Sequence, residues 1–258
     1  TKNAKKIQPS PFTGKPIEIG GSFGRDTATG FGGAVVLREY MKTRADHKPP
    51  TTSYKPTVAI QGFGAVGSAI ARLLFRRGYS VAALSDSRGA IFNASGIDVE
   101  GIIRTQEERG LVDARPCSLE EASGGNCKVI SNEELLELDV DVLIPAALEG
   151  AITAENASKV RAGVVLELAN GPVTPEAESI LMTKGVNVIP DILANSGGVV
   201  GSYFEWVQGL ARFYWEEDEV LAKIEKIMAG AFHGIRKISE EHRITWREAS
   251  YMRAVSRV

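Results

Sequence analysis

The sequence predicts an α/β fold, a doubly wound and mainly parallel sheet with helices on both faces. Three observations lead there. From Lys55 onward, short β-branched runs alternate with helix-compatible stretches, the order that buries a parallel sheet between two helical layers. A glycine-rich turn directly follows the first of these runs and opens a helix. After Gly209 the strand patterns cease and only amphipathic helical spacing remains.

Before the first strand, residues 27–41 read as an apolar helix, and His47-Lys48-Pro49-Pro50-Thr51-Thr52-Ser53 as an exposed linker. Strands are expected at 57–61, 80–85, 140–144, 164–167 and 186–190. Helical stretches fall between them at 65–77, 99–108, 132–137, 155–159 and 175–184. The last of these carries the strongest boundary signals. Thr174 can cap a helix whose first position is Pro175, Glu176 and Glu178 sit at its positive end, and Gly185 stops it. Residues 216–241 place Val220, Ile224, Ile227, Met228, Ala231, Ile235 and Ile238 at helical spacing, giving one long amphipathic helix. A final helix begins at Thr245-Trp246-Arg247-Glu248, a capping-box pattern.

Composition narrows the function classes. With 258 residues, 43% hydrophobic and 24% charged, the chain can bury a large core. Its 30 basic and 32 acidic residues are scattered and leave a net charge of −2, so no nucleic-acid or acidic-membrane surface is advertised. Apolar runs such as Val164-Val165-Leu166 stop far short of the roughly 20 residues of a membrane span, and a cytoplasmic location is the expectation. The two cysteines, Cys117 and Cys127, form no CxxC pair and read as inert thiols. The three histidines, His47, His233 and His242, form no metal-binding cluster, so no metal site is expected.

Chemistry enters at Gly62-Phe63-Gly64-Ala65-Val66-Gly67, between the strand Val58-Ala59-Ile60 and the helix starting near Ala69. Gly62 allows a tight turn, Gly64 lets backbone approach a pyrophosphate, and Gly67 permits close packing of helix on strand. The helix N-terminus supplies oriented N–H groups and partial positive charge for phosphates. A glycine-rich turn without a ligand is the alternative. Nineteen residues past Gly67, Asp86 stands at the end of the second strand, where a carboxylate can accept from an adenosine ribose. This favours NAD over NADP, although Ser85, Ser87 and Arg88 could meet a 2′-phosphate and Asp86 could instead cap a turn. The pattern is that of a Rossmann-type dinucleotide fold. It divides the chain into a crossing, lead helix and linker at 1–54, a dinucleotide-binding core at 55–210, and C-terminal helices packed on it at 211–258.

Other strand ends carry further candidates, since ligands of open α/β sheets bind there. Ala146 and Ala147 are small enough to leave space for a flat nicotinamide or its ribose, or else they pack the core. Asn170 and Asn195 can each donate to and accept from a ribose or carboxamide, or else serve as turn residues. The aromatic residues Tyr203, Phe204, Trp206, Phe213, Tyr214 and Trp215 read as packing where the final helices dock.

Four segments resemble the glutamate dehydrogenase family of Glu/Leu/Phe/Val dehydrogenases: 20–30, beginning Gly20-Gly21-Ser22-Phe23-Gly24-Arg25-Asp26, then 145–150, Ala169-Asn170-Gly171-Pro172, and 190–199 with Asp191-Ile192-Leu193-Ala194-Asn195-Ser196-Gly197-Gly198. So does Ser202-Tyr203-Phe204-Glu205-Trp206-Val207-Gln208. The resemblance implies Arg25 and Thr29 at the cleft near the nicotinamide, the Thr29 hydroxyl reaching the carboxamide, and Ser202 at the substrate side-chain carboxylate. It implies NAD or NADP as cofactor, L-glutamate and 2-oxoglutarate as substrates of the complete enzyme, and a homo-hexamer, the fragment itself being able to stand as a monomer. The family's N-terminal substrate domain, with its catalytic lysines and aspartate, is not in this sequence, so the isolated chain is expected to bind cofactor and be inactive. Gly20-Gly21 and Gly197-Gly198 are the expected points of backbone flexibility. Where the family has Gly, this chain has Leu168, which would strain the strand end if its φ had to be positive. Two other readings stay open: a non-catalytic regulatory module that binds the dinucleotide, and a leucine- or phenylalanine-type dehydrogenase.

Overall fold

A computed structural model describes residues 10–44, 54–109 and 123–258. The expected linker 47–53, His47 and Cys117 lie outside the described residues. The strands form one seven-stranded sheet in the order β4-β3-β2-β1-β5-β6-β7. Five are parallel: β1 (Thr57–Gln61), β2 (Ser80–Asp86), β5 (Val142–Pro145), β6 (Val164–Leu166) and β7 (Asn187–Ile189). The chain leaves central β1 toward one edge and later crosses to β5 on its other side. The crevice between the ends of β1 and β5 is therefore the topological switch point, where open sheets bind ligands.

β3 (Gly89–Phe92) and β4 (Lys128–Ile130) run antiparallel at one edge and were not among the five expected strands. Four and three residues are too few to display a period of two, and their stability comes from pairing outward from β2. The expected helix at 155–159 is only a 3-10 turn, Ala157–Lys159. The other helices are α1 (Ala28–Thr43), α2 (Ala65–Arg76), α3 (Val99–Arg109), α4 (Asn132–Leu136), α5 (Pro175–Thr183), α6 (Asp191–Ala194), α7 (Gly197–Ala211), α8 (Glu217–His242) and α9 (Trp246–Val255). Caps explain several boundaries. Thr174 accepts from the Ala177 amide, and Thr245 with Glu248 and Ser131 with Glu134 complete reciprocal capping boxes.

The sheet buries both faces, which is why its strands read as continuous apolar runs. Val58, Ile60, Leu84, Ile144 and Leu166 face α1, α2 and α8. Ala59, Ala83, Leu143, Val165 and Val188 face α4 and α5. Helix α1 is the keystone of the first layer, lying against α2, α7 and α8.

Gly197 and Gly198, expected as points of flexibility, are the first two residues of α7. Both are buried there, and a Cβ on Gly197 would meet the Ala28 carbonyl and one on Gly198 the Thr29 hydroxyl. They are small because two helix backbones meet there. Leu168 is unstrained: among the described non-glycine residues only Arg212 and Arg243 have positive φ. Its side chain is 4% exposed and fills the space opposite Gly33 of α1, where a Cβ would come within 2.6 Å of Leu168 Cδ2. The aromatic cluster divides. Phe204 and Trp215 pack edge to face at 5.5 Å, whereas Tyr203, Trp206, Phe213 and Tyr214 are exposed. Helical spacing turns residues 203 and 206 to the outer side of α7, away from the core. Cys127 is a free, half-buried thiol whose pKa is raised by burial.

Candidate functional site

The glycine turn is held by its neighbours on the sheet. Gly62 takes a φ of +94°, and its amide donates to Ser85 Oγ at 3.2 Å, tying the turn to β2. A Cβ there would lie 2.8 Å from the Ala147 Cβ, so the end of β5 closes on the turn. Gly67 has no room either, because its Cβ would strike the Gly62 carbonyl. Gly64, the N-cap of α2, differs from both: a Cβ would meet nothing within 4 Å. Phe63 and Val66 lean on the core while Ala65 is exposed. The first amides of α2 thus begin at an open cleft, with no intrahelical acceptor of their own.

That cleft, of about 820 Å³, brings Gly62, Phe63, Gly64, Asp86, Ser87, Ala146 and Ala147 together. Ala146 is half-buried against the core and Ala147 is exposed. Asp86 closes a turn: its Oδ1 accepts from the Arg88 amide at 2.7 Å and its Oδ2 pairs with the Arg88 guanidinium at 3.1 Å. Asn132 Nδ2 donates to the Asp86 carbonyl at 3.3 Å and braces the strand end from α4.

Two further groups lie beyond the cleft wall. Asn195 Nδ2 donates to Asn170 Oδ1 at 2.7 Å, joining the loops after β6 and β7. Neither asparagine is left-handed; Gly171 takes that conformation, with φ +54°. Arg25 Nε donates to Ser202 Oγ at 2.8 Å, and Thr29 one helical turn on faces Gly198.

Sequence reasoning missed how these groups are held; Ser85, read there as a possible 2′-phosphate contact, is buried with its hydroxyl taken up by the Gly62 amide. Ser85 and Asn132 brace the side of the cleft where Gly62 and Asp86 stand. On the other side, buried Glu205 of α7 accepts from the amides of Gly14 and Lys15 and from Lys15 Nζ at 2.5 Å, strapping the leading segment to α7. Burial pushes its carboxyl up, but Lys15 and the two amides outweigh that and keep it below the usual range. Fully buried Glu167, at the end of β6, behaves oppositely: burial raises its pKa to about 7 despite the Arg247 guanidinium beside it. A buried carboxylate directly after an apolar strand was the available signal, since such a group demands a partner. Among the described residues, no group of His, Cys, Asp and Glu could hold a metal ion, and no helix is long and apolar enough to cross a membrane.

Residues 20–258 match the family model described as Glutamate/Leucine/Phenylalanine/Valine dehydrogenase. The glutamate dehydrogenase of Thermotoga maritima is 50% identical over 95% of this chain and 56% of its own length. An NADP-specific glutamate dehydrogenase of Synechocystis and an NAD-specific one of Clostridioides difficile are each 44% identical, over 98% and 96% of this chain and 58% and 56% of their own. The hetero-hexameric glutamate dehydrogenase of Thermus thermophilus, a solved structure in a leucine-bound form, superposes with a TM-score of 0.81 at 34% identity, over 95% of this chain and 55% of that one. The chain thus spans a little over half the length of these relatives. It belongs to the Glutamate/Leucine/Phenylalanine/Valine dehydrogenase family.

Proposed function

We propose that this chain is the dinucleotide-binding part of a glutamate dehydrogenase, a reversible enzyme that oxidatively deaminates L-glutamate to 2-oxoglutarate and ammonia. The observation that carries the reading is the contrast within the glycine turn. Gly62 and Gly67 are packed from all sides, while Gly64 opens onto the cleft exactly one residue before α2 begins. A pyrophosphate fits such a cradle, because only there can it approach the backbone and the unpaired amides of the helix start.

On this reading Gly62 to Gly67 hold the pyrophosphate, and Asp86 with Ser87 holds the adenosine ribose. The small Ala146 and Ala147 leave room along the end of β5, and the Asn170 and Asn195 pair orients the far ribose or carboxamide. NAD is favoured over NADP, since the Asp86 carboxylate repels a 2′-phosphate; the adjoining Arg88 limits that repulsion. Arg25 and Thr29 lie at the nicotinamide end, and Ser202 at the substrate's side-chain carboxylate. The nicotinamide supplies hydride transfer. These residues bind, orient and exclude water, and none of them is assigned a proton transfer. The 258-residue chain by itself is therefore inactive, and the whole enzyme assembles as a hexamer.

Titration calorimetry with NAD+ and NADP+ tests binding, and 2-oxoglutarate-dependent oxidation of the reduced cofactor tests turnover. Saturable binding below about 1 mM without turnover is expected. Absence of binding to either dinucleotide overturns the cofactor assignment, and turnover by the isolated chain overturns the division of labour.

A further inference from the structure

The C-terminal helix α9 reaches the site through one side chain. Arg247 Nη2 donates to Glu167 Oε1 at 2.7 Å, Nε to Glu178 Oε2 at 2.6 Å, and Nη1 to Asp191 Oδ1 at 3.2 Å. A guanidinium is suited to this, because its planar fork offers donors in several fixed directions. Two of the three carboxylates continue toward the Asn170 turn. Glu167 Oε2 accepts from the Asp191 amide at 2.7 Å, locking the start of α6 to the end of β6. Asp191 Oδ2 accepts from the Gly171 amide at 2.8 Å, gripping the residue next to Asn170. The third, Glu178, leads only into α5.

Asn170 itself is exposed and hydrogen-bonded to Asn195, which caps α6. Both asparagines therefore stand on backbone that the Arg247, Glu167 and Asp191 cluster fixes. Glu167 and Glu178 are buried and Asp191 is half-buried, and removing Arg247 would leave the three acidic side chains without their shared donor, a costly arrangement that the loops relieve by moving apart.

We propose that Arg247 is a positioning residue for the nicotinamide end of the dinucleotide site, acting through Asp191 and Gly171 on Asn170 and through Glu167 on the loop that carries Asn195. This rests on the dinucleotide reading above. Arg247 touches no part of the cleft around Gly64 and Asp86, so the adenosine end is independent of it.

The test compares two probes by calorimetry on the full chain: NAD+, which occupies both ends, and ADP, which lacks the nicotinamide and its ribose. In Arg247→Met, NAD+ affinity is expected to fall about tenfold while ADP affinity stays within about twofold. Arg247→Lys should recover only part of the loss, because an ammonium cannot bridge three carboxylates in fixed directions. Asp191→Asn leaves one oxygen where two accept, and should reproduce the selective loss. Glu178→Gln should not. If Arg247→Met does not fold, Asp191→Asn decides by the same ratio. Equal losses for both probes, or no loss for either, overturn the positioning role. A wild-type chain that binds neither probe overturns the dinucleotide reading itself, which separates the two failures.

Discussion

At the adenosine end of the proposed cleft, turn, helix start and carboxylate all come from residues 57–88, and their main brace is the bond from Gly62 to Ser85, 23 residues on. At the nicotinamide end, Asn170 is paired with Asn195, its neighbour Gly171 is gripped by Asp191, and Asp191 is tied to Arg247 a further 56 residues along. The first end is local turn chemistry laid on a strand and a helix. The second is assembled by tertiary packing and buried charge. Changes far from the ligand should therefore be felt at the nicotinamide end and hardly at the adenosine end.

Leu168→Gly strikes the second region hardest. Leu168 is 4% exposed and sits between Glu167 and the Asn170 turn. Deleting it removes a buried leucine and adds the backbone freedom of glycine, a loss of about 3–5 kcal/mol in denaturant unfolding. Gly33 makes the test sharper, since its absent Cβ is what makes room for Leu168. Gly33→Ala should destabilise the wild type yet be better tolerated beside Leu168→Gly, a favourable coupling in a double-mutant cycle. Strictly additive costs would mean that the two positions do not share that space.

Ionisation offers the next largest contrast. Burial raises the Glu167 carboxyl from its ordinary 4.5 to about 7, with Arg247 opposing and Asp191 adding to the rise. Between those values the folded chain keeps a proton that the unfolded chain releases, so this group's contribution to stability falls as pH climbs from about 4.5 and levels off above about 7. Glu167→Gln should remove that slope. Relative to wild type, the variant is expected to gain about 1–3 kcal/mol between pH 5 and pH 8, read from urea midpoints at each pH. A difference independent of pH would show the carboxyl to be ionised throughout. Glu205, held below the usual range after burial is outweighed, contributes the opposite slope: its stabilisation is present above the ordinary carboxylate range and lost as pH falls.

The same contrast explains what was legible. The glycine turn, the caps at Thr174 and Thr245 and the long helix α8 follow from neighbours a few residues apart, and a linear sequence displays those. The antiparallel edge was not visible, because β3 and β4 are too short to carry a period and depend on β2 for their pairing. The close packing of Gly197 and Gly198 against α1 was not legible either, since small residues mark close helix contact as readily as freedom, and only the partner α1 reveals the contact. At the site, Gly62, Phe63, Gly64, Asp86, Ser87, Ala146 and Ala147 of the cleft were named in advance, whereas Asn132, Leu148 and Asn156, which line it with them, were not. The partners Glu167 and Arg247 are 80 residues apart, and no local pattern connects a carboxylate after a strand to an arginine inside a capping box.

Asp86→Ala carries the smallest effect on the fold and the clearest one on ligand choice. The Asp86 and Arg88 pair is partly solvated, with 22% and 46% of the side chains exposed, so its removal should change stability by less than about 1 kcal/mol. The turn also loses the acceptor for the Arg88 amide, which water can replace at an exposed site. What changes is charge beside the adenosine ribose. A carboxylate there accepts from two hydroxyls and repels a phosphate, and without it Arg88 faces the 2′ position with no neighbouring anion from residue 86. The ratio of NADP+ to NAD+ affinity should rise by about tenfold, equivalent to roughly 1.4 kcal/mol. Arg247→Met, at the opposite end, should leave that ratio unchanged because both dinucleotides share the nicotinamide half. A ratio that moves with Arg247 and not with Asp86 would reverse the assignment of the two ends.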